Sequence, residues 1–125
     1  MVGTAIKSIL SDYNVYGLEV PRSRGAKWII YTGVSRIGNR TKDGVSTLDR
    51  YRFQLDCYAR KETDMDTLGE AVKTLLDDYS GTVESIAIDL MVFEDEDDSF
   101  EVLGDEGGSE PYHRRRQDYT IWIKP

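Results

Sequence analysis

Between Leu48 and Tyr79 the hydrophobic pattern changes period once. Tyr51, Phe53, Leu55, Cys57 and Ala59 alternate with Arg50, Arg52, Gln54, Asp56 and Tyr58. That alternation predicts a strand over Leu48 to Arg60, apolar on one face and polar on the other. Met65, Leu68, Val72, Leu75, Leu76 and Tyr79 then recur at helical spacing, predicting an amphipathic helix that starts near Thr63 and ends at Ser80 and Gly81. Thr63 and Asp66 have the spacing of a capping box, and Asp64 and Asp66 suit a positive helix N-terminus. Gly69 inside this helix costs about 1 kcal/mol relative to Ala; it would permit close packing on a sheet.

The remaining elements follow the same logic. Val2, Ile6, Ile9, Leu10 and Tyr13 predict a short first helix, stopped by Asn14 and Gly17. Pro21 and Gly25 mark a loop. Trp28, Ile29, Ile30, Tyr31 and Val34 predict a strand over Lys27 to Arg36. A polar connection containing Gly38, Asn39, Lys42, Asp43 and Gly44 joins it to the Leu48 strand, and an antiparallel pairing is the simplest arrangement. Ser85 to Phe93 predicts a third strand, with Ile86, Ile88, Leu90 and Val92 on one face and Ala87, Asp89, Met91 and Phe93 on the other. Phe100, Val102 and Leu103 stand isolated in acidic sequence, and Gly104 to Pro111 reads as loop. Tyr112 to Lys124 predicts the last strand, with Tyr119, Ile121 and Ile123 opposite Asp118, Thr120, Trp122 and Lys124.

Helix, strand, strand, helix, strand, strand is the expected order. It gives an α+β domain over residues 1–125: a mostly antiparallel sheet of four strands or slightly more, with two helices packed on one face. The face away from the helices, carrying Arg50, Arg52, Gln54, Asp89, Asp118 and Thr120, must then meet water or a partner.

Composition narrows the function. At 125 residues, 39% hydrophobic and 31% charged, the chain has the makeup of a single water-soluble domain. No apolar run approaches the ~20 residues of a membrane span, and Met1 to Tyr13 lacks the apolar core of a secretory signal. The lone Cys57 cannot form an internal disulfide and falls on an apolar face, as a small buried hydrophobe would. These features suggest a reducing cytoplasm. The net charge of −7 argues against nonspecific nucleic-acid binding, which needs cations to neutralise phosphate. The charge is uneven. Glu94, Asp95, Glu96, Asp97 and Asp98 form one acidic run, Asp105, Glu106 and Glu110 follow, and Arg114, Arg115 and Arg116 reverse the sign.

Chemical motifs are sparse. His113 is the single histidine, and it stands beside the three arginines at a strand start. A nucleophile triad would need it, yet no G-x-S-x-G elbow occurs. One His and one Cys do not make a zinc site. Asp95, Asp97, Ser99 and Glu106 stand at positions one, three, five and twelve of a calcium loop. Position six, which requires Gly, is Phe100, so the match is a coincidence of an acidic run. There is no Walker loop and no G-x-G-x-x-G. In a strand, Arg114 and Arg116 point to one face and Arg115 to the other; pairing with acidic neighbours, in the same or another chain, is their expected use. No cofactor and no catalytic or metal-binding residue is expected.

The arrangement resembles the phage tail-completion family, also called tail terminator or head-tail joining proteins of long-tailed phages. The resemblance rests on the helix around Ile6 to Tyr13, the strand Trp28-Ile29-Ile30-Tyr31, and the central strand Tyr51 to Arg60. It rests also on the helix Asp64 to Asp78 and the closing strand Tyr119-Thr120-Ile121-Trp122-Ile123. The acidic stretch Glu94 to Glu110 departs from many members. The resemblance implies a virion protein assembled in the host cytoplasm: a homo-oligomeric ring, a hexamer, that caps the tail tube protein and meets a neck or head-completion protein. DNA would pass through its lumen without specific binding, and neither chemistry nor membrane is involved. Under that reading Glu94, Asp95, Glu96, Asp97 and Asp98 are candidates for a DNA-repelling lumen. Arg50, Arg52, Arg114, Arg116, Asp43 and Glu106 are candidates for contacts between subunits or rings. The loops Gly38 to Gly44 and Asp105 to Glu110 are candidate binding elements. The competing readings are another neck component (adaptor or head-closure protein), a small metal-dependent nuclease using Asp95 and Asp97, and a nucleic-acid module using Arg50, Arg52 and Arg114 to Arg116.

Overall fold

The computed structural model describes residues 2–17, 27–37, 40–41, 44–45, 49–102 and 111–124. Helix α1 (Val2–Ile9) leads into a two-residue strand β1 (Val15–Tyr16) and then β2 (Lys27–Ile37). Strands β3 (Arg40–Thr41) and β4 (Gly44–Val45) pair only with each other, in a small separate sheet. Next come β5 (Asp49–Ala59), α2 (Glu62–Leu76), β6 (Gly81–Val83), β7 (Ile86–Val102) and β8 (Pro111–Lys124). The main sheet has six strands in the order β1-β2-β5-β8-β7-β6.

The α+β class and the two helices match the expectation from sequence; the sheet is larger and mixed. β1 pairs with β2 in parallel, Val15 opposite Ile29, whereas the other pairings are antiparallel. β1 and β6 are too short to show a hydrophobic period, so pattern alone misses both. The expected loop over the Gly38 to Gly44 stretch contains the β3–β4 pair; Gly38, Asn39, Lys42 and Asp43 lie outside the described residues.

One continuous core fills the helix side of the sheet. Ala5 and Ile6 from α1, Leu10 just after it, and Leu68, Val72 and Leu76 from α2 pack on Ile29, Phe53, Leu55, Cys57, Tyr119, Ile121 and Ile123. α1 touches both β2 and β6, strands near opposite edges. The sheet therefore curls around the helices. Phe53 and Tyr119 stack at 5.3 Å in the middle of this layer. On the other side a smaller cluster joins Trp28, Tyr58 and Tyr112, with Trp28 stacked on Tyr58 at 5.0 Å and edge-on to Tyr112 at 4.7 Å.

Three details differ from the sequence expectation. α2 stops at Leu76: Asp77 caps it, Asp78 takes φ 62°, and Tyr79 lies beyond the helix. The spacing of Tyr79 is helical, but a left-handed residue at 78 turns the chain toward β7. The Thr63–Asp66 box is not made. Lys61 is the N-cap with no side-chain cap, and Thr67 Oγ1 donates to the Thr63 carbonyl at 2.9 Å. Finally, β7 is a single strand to Val102 with irregularities between Ile88 and Leu90 and between Phe93 and Asp95. Each bulge shifts the alternation by one. Ile86, Ile88, Met91 and Phe93 thus share the core side, while Leu90 and Val92 do not. The strand thus runs through the acidic residues, past the Phe93 end expected from the pattern. Among the described residues no helix is long and apolar enough to cross a membrane.

Candidate interaction surface

Strand pairing sets the positions of the charged residues. β8 lies between β5 and β7, with Arg116 opposite Asp56 on one side and Asp97 on the other, and Arg115 opposite Cys57 and Asp98. Alternation sends Arg114 and Arg116 to the face away from the helices and Arg115 toward them, as the sequence predicts.

On the outer face the guanidinium of Arg114 donates to Asp56 Oδ1, through Nε at 3.0 Å and Nη2 at 2.9 Å. Asp56 is 6% exposed and also accepts from Gln54 Nε2, at 3.2 and 3.1 Å. Arg116 reaches Asp97 at 2.5 Å and Asp118 at 3.3 Å, with Asp95 farther off at 3.9 Å. The hydrogen bond to Asp97, then the charge of Asp118, hold the Arg116 guanidinium even more firmly protonated than usual. Arg52 is exposed and Arg50 half-buried on this same face, opposite Thr120 and Trp122. The structure thus gathers Arg114 and Arg116 into one charged ladder and leaves Arg50 and Arg52 several rungs away.

On the inner face Arg115 is 8% exposed. It grips Asp98 with two bonds, Nε to Oδ1 at 2.8 Å and Nη2 to Oδ2 at 3.1 Å, and reaches Asp66 of α2 at 2.5 Å. A bidentate Arg–carboxylate pair is geometrically specific. The hydrogen bond from Arg115 holds the Asp98 carboxyl below its usual range, and the same bond raises the Arg115 guanidinium further. Gly69 of α2 makes the room: a Cβ there would lie 2.6 Å from Arg115 Cδ. Next along β8, Gln117 is fully buried; its Nε2 donates to the Gly69 carbonyl at 3.0 Å and to Glu96 Oε1 at 3.3 Å. Tyr119 completes the chain by donating its hydroxyl to Gln117 Oε1 at 2.7 Å. Burial raises the Tyr119 hydroxyl pKa, so it remains a donor at ordinary pH.

Of the acidic run, Asp95 and Asp97 join the outer ladder, Glu96 and Asp98 the inner network, and Glu94 is exposed at the second bulge. Asp43 and Glu106 lie outside the described residues. Gln117, Asp66 and Asp56 escaped sequence reasoning. The one available signal was Gly69, placed where an amphipathic helix otherwise carries an apolar residue.

The chemistry of these groups is structural. Burial pushes the Cys57 thiol up to about 12, the neighbouring Asp56 adding to the shift, so it is a poor nucleophile. The His113 ring stands edge-on to Phe100 at 5.2 Å. Among the described residues no group of three His, Cys, Asp or Glu side chains is placed to hold a metal ion. Asp95 and Asp97, the first positions of the calcium-loop pattern, are strand residues turned to Arg116.

The model of one protein family, described as tail completion protein gp17, matches residues 3–124. Among solved structures, a chain from the virion of a native gene transfer agent particle superposes with a TM-score of 0.66 at 10% identity. The match covers 96% of this chain and 84% of that one. No curated protein matches the sequence.

Proposed function

The chain belongs to the tail completion protein gp17 family, and from that membership we propose that it is a tail terminator: a ring of six copies that caps the tail tube and joins it to the neck. It is a structural protein of the virion's tail or neck. The observation that carries the proposal is the family match over residues 3–124. The surface agrees with a docking role, since Arg114, Arg115 and Arg116 are held by carboxylates of the same chain and the one thiol is inert.

In such a ring Asp95 and Asp97, on the outer face of the sheet, turn toward the bore and repel passing DNA. Arg50 and Arg52, several rungs away on the same face, meet a neighbouring subunit or ring, and the loops containing Asp43 and Glu106 reach the tail tube protein or the neck. No reaction enters this reading.

Purified chain added to tails that lack their terminator tests it. Capping and restored joining to heads are expected. Binding to heads instead, with tails left uncapped, assigns the chain to the neck as an adaptor or head-closure protein. Cryo-EM of the capped tail then counts the copies and shows which face lines the bore.

A further inference from the structure

The two faces of the sheet are finished differently. Both described helices lie on the inner face, so the outer one has no helical cover among the described residues. One end of that outer face is a patch two rungs deep. Leu90, Trp122 and Arg50 stand abreast on β7, β8 and β5, and Val92, Thr120 and Arg52 stand abreast on the next rung. Leu90, Val92 and Trp122 are only half-buried, and Arg52 and Lys124 are exposed. The described charges here are Arg50, Arg52 and Lys124 against Asp89 at the first irregularity. This end is therefore both apolar and cationic. Past Val92 the same face turns acidic through Glu94, Asp95, Asp97 and Asp118.

The helix layer carries the converse. Leu75, on the last turn of α2, is 42% exposed. A lone exposed leucine is ordinary. This one borders a shallow groove whose other lining residues are Ser8, Ile9, Tyr79 and Val83, drawn from α1, β6 and the chain between α2 and β6. The rim is acidic. Asp78 and Glu84 are exposed, and Glu84 Oε1 accepts from Ser8 Oγ at 3.2 Å. The cation of that helical turn, Lys73, is taken up over the Phe93 ring at 4.4 Å.

Resting on the ring reading, we propose that the occupant of the outer patch is a second copy of this chain, through the exposed end of its α2. Leu75 and its groove cover Leu90, Val92 and Trp122, while Asp78 and Glu84 meet Arg50, Arg52 and Lys124.

Size and charge both fit. Two strand spacings span ~10 Å, the width of one helix. The two patches are opposite in sign, and two copies of either one repel, so unlike patches are favoured over like ones. The patches lie on opposite faces with the sheet between them, so one chain cannot bring its own together. Two different patches joined head to tail make a heterologous interface, the kind that closes into a ring. Each sheet would then be sandwiched between its own helices and the α2 of a neighbour. Trp122 and Arg116 are ~20 Å apart along β8 at ~3.3 Å per residue, so a helix seated on the patch leaves Asp95 and Asp97 uncovered for the bore.

Site-specific photocrosslinking tests the contact. Tails that lack their terminator are capped with the chain carrying Leu75→p-benzoylphenylalanine, irradiated, and the adducts mapped by mass spectrometry. Thr74, exposed beside it, carries the probe if position 75 does not tolerate it. Adducts to residues 50–52, 90–92 or 120–124 of a second copy are expected. Every copy carries both patches, so the adducts should run as a ladder of multimers beyond the dimer. Adducts to another region of a second copy overturn this contact while leaving the ring intact. Adducts only to a different protein, or none in tails that the chain has capped, overturn it as well. Wild-type chain that caps no tails counts against the ring reading itself. Charge exchange gives the second measurement. Arg52→Glu and Glu84→Lys should each lower the yield of capped tails about tenfold, with unchanged melting of the free protein, and the double variant should recover it. Single variants that cap as well as wild type, or a double variant no better than either, contradict the contact.

Discussion

Gly69 and Arg115 compete for the same volume: a Cβ on Gly69 would sit 2.6 Å from Arg115 Cδ, and 3.1 Å from its Nη1. The missing side chain lets a nearly buried guanidinium pass between α2 and the sheet to reach Asp98 and Asp66.

Gly69→Val should therefore destabilise the fold by about 1–3 kcal/mol, the usual cost of overpacking. Val is a somewhat better helix former than Gly, so an unchanged or raised urea midpoint would show that Arg115 moves aside without loss. Gly69→Ala should be milder for the same reason, because its gain in helix propensity offsets part of the clash.

Tyr119→Phe removes the hydroxyl that donates to buried Gln117 Oε1. An acceptor left unsatisfied in the core costs about 1–3 kcal/mol. Chemical denaturation should show a lower midpoint at unchanged slope.

Asp98 predicts an acid limb. Its carboxyl is held below the ordinary range, chiefly by the hydrogen bond from Arg115. The unfolded chain then binds the proton more tightly than the folded one, and stability rises with pH across that interval. The contribution is complete above the unfolded value of about 3.9 and fades as pH falls through the lowered folded value. Unfolding followed by tryptophan fluorescence should show wild type losing stability more steeply below about pH 4 than Asp98→Asn. Parallel curves would mean that Asp66 alone holds Arg115.

Cys57 should resist thiol reagents in the native state. It is fully buried with its pKa pushed up to about 12, and the thiolate is the reactive form. Labelling at neutral pH should follow global unfolding and accelerate with denaturant. Fast labelling of folded protein would mean that β5 opens locally.

Much of this fold was legible because two periods carry it. The faces of β5 and β8 and the core of α2 follow from alternation and helical spacing, since those elements are regular. β7 was not legible past Phe93. The apolar pattern ends there, yet the acidic residues beyond it form sheet because β8 supplies arginines opposite them, Arg115 to Asp98 and Arg116 to Asp97. The separation of Arg115 from Arg114 and Arg116 was readable from alternation alone. Their partners were not, because Asp56 and Asp66 are brought near only by tertiary packing.

The two irregular points in β7 carry a consequence for length. The first moves the inward positions from even to odd numbers, and the second returns them, so Met91 and Phe93 sit between two stretches of opposite parity. Losing the extra residue at either point would leave the carboxylates opposite Arg115 and Arg116 unchanged, because neither extra residue has a partner on β8. Losing one at each would keep every ladder partner while giving up two local increments of twist. Removal of both Asp89 and Glu94 is thus a way to straighten the wall without changing what it is made of.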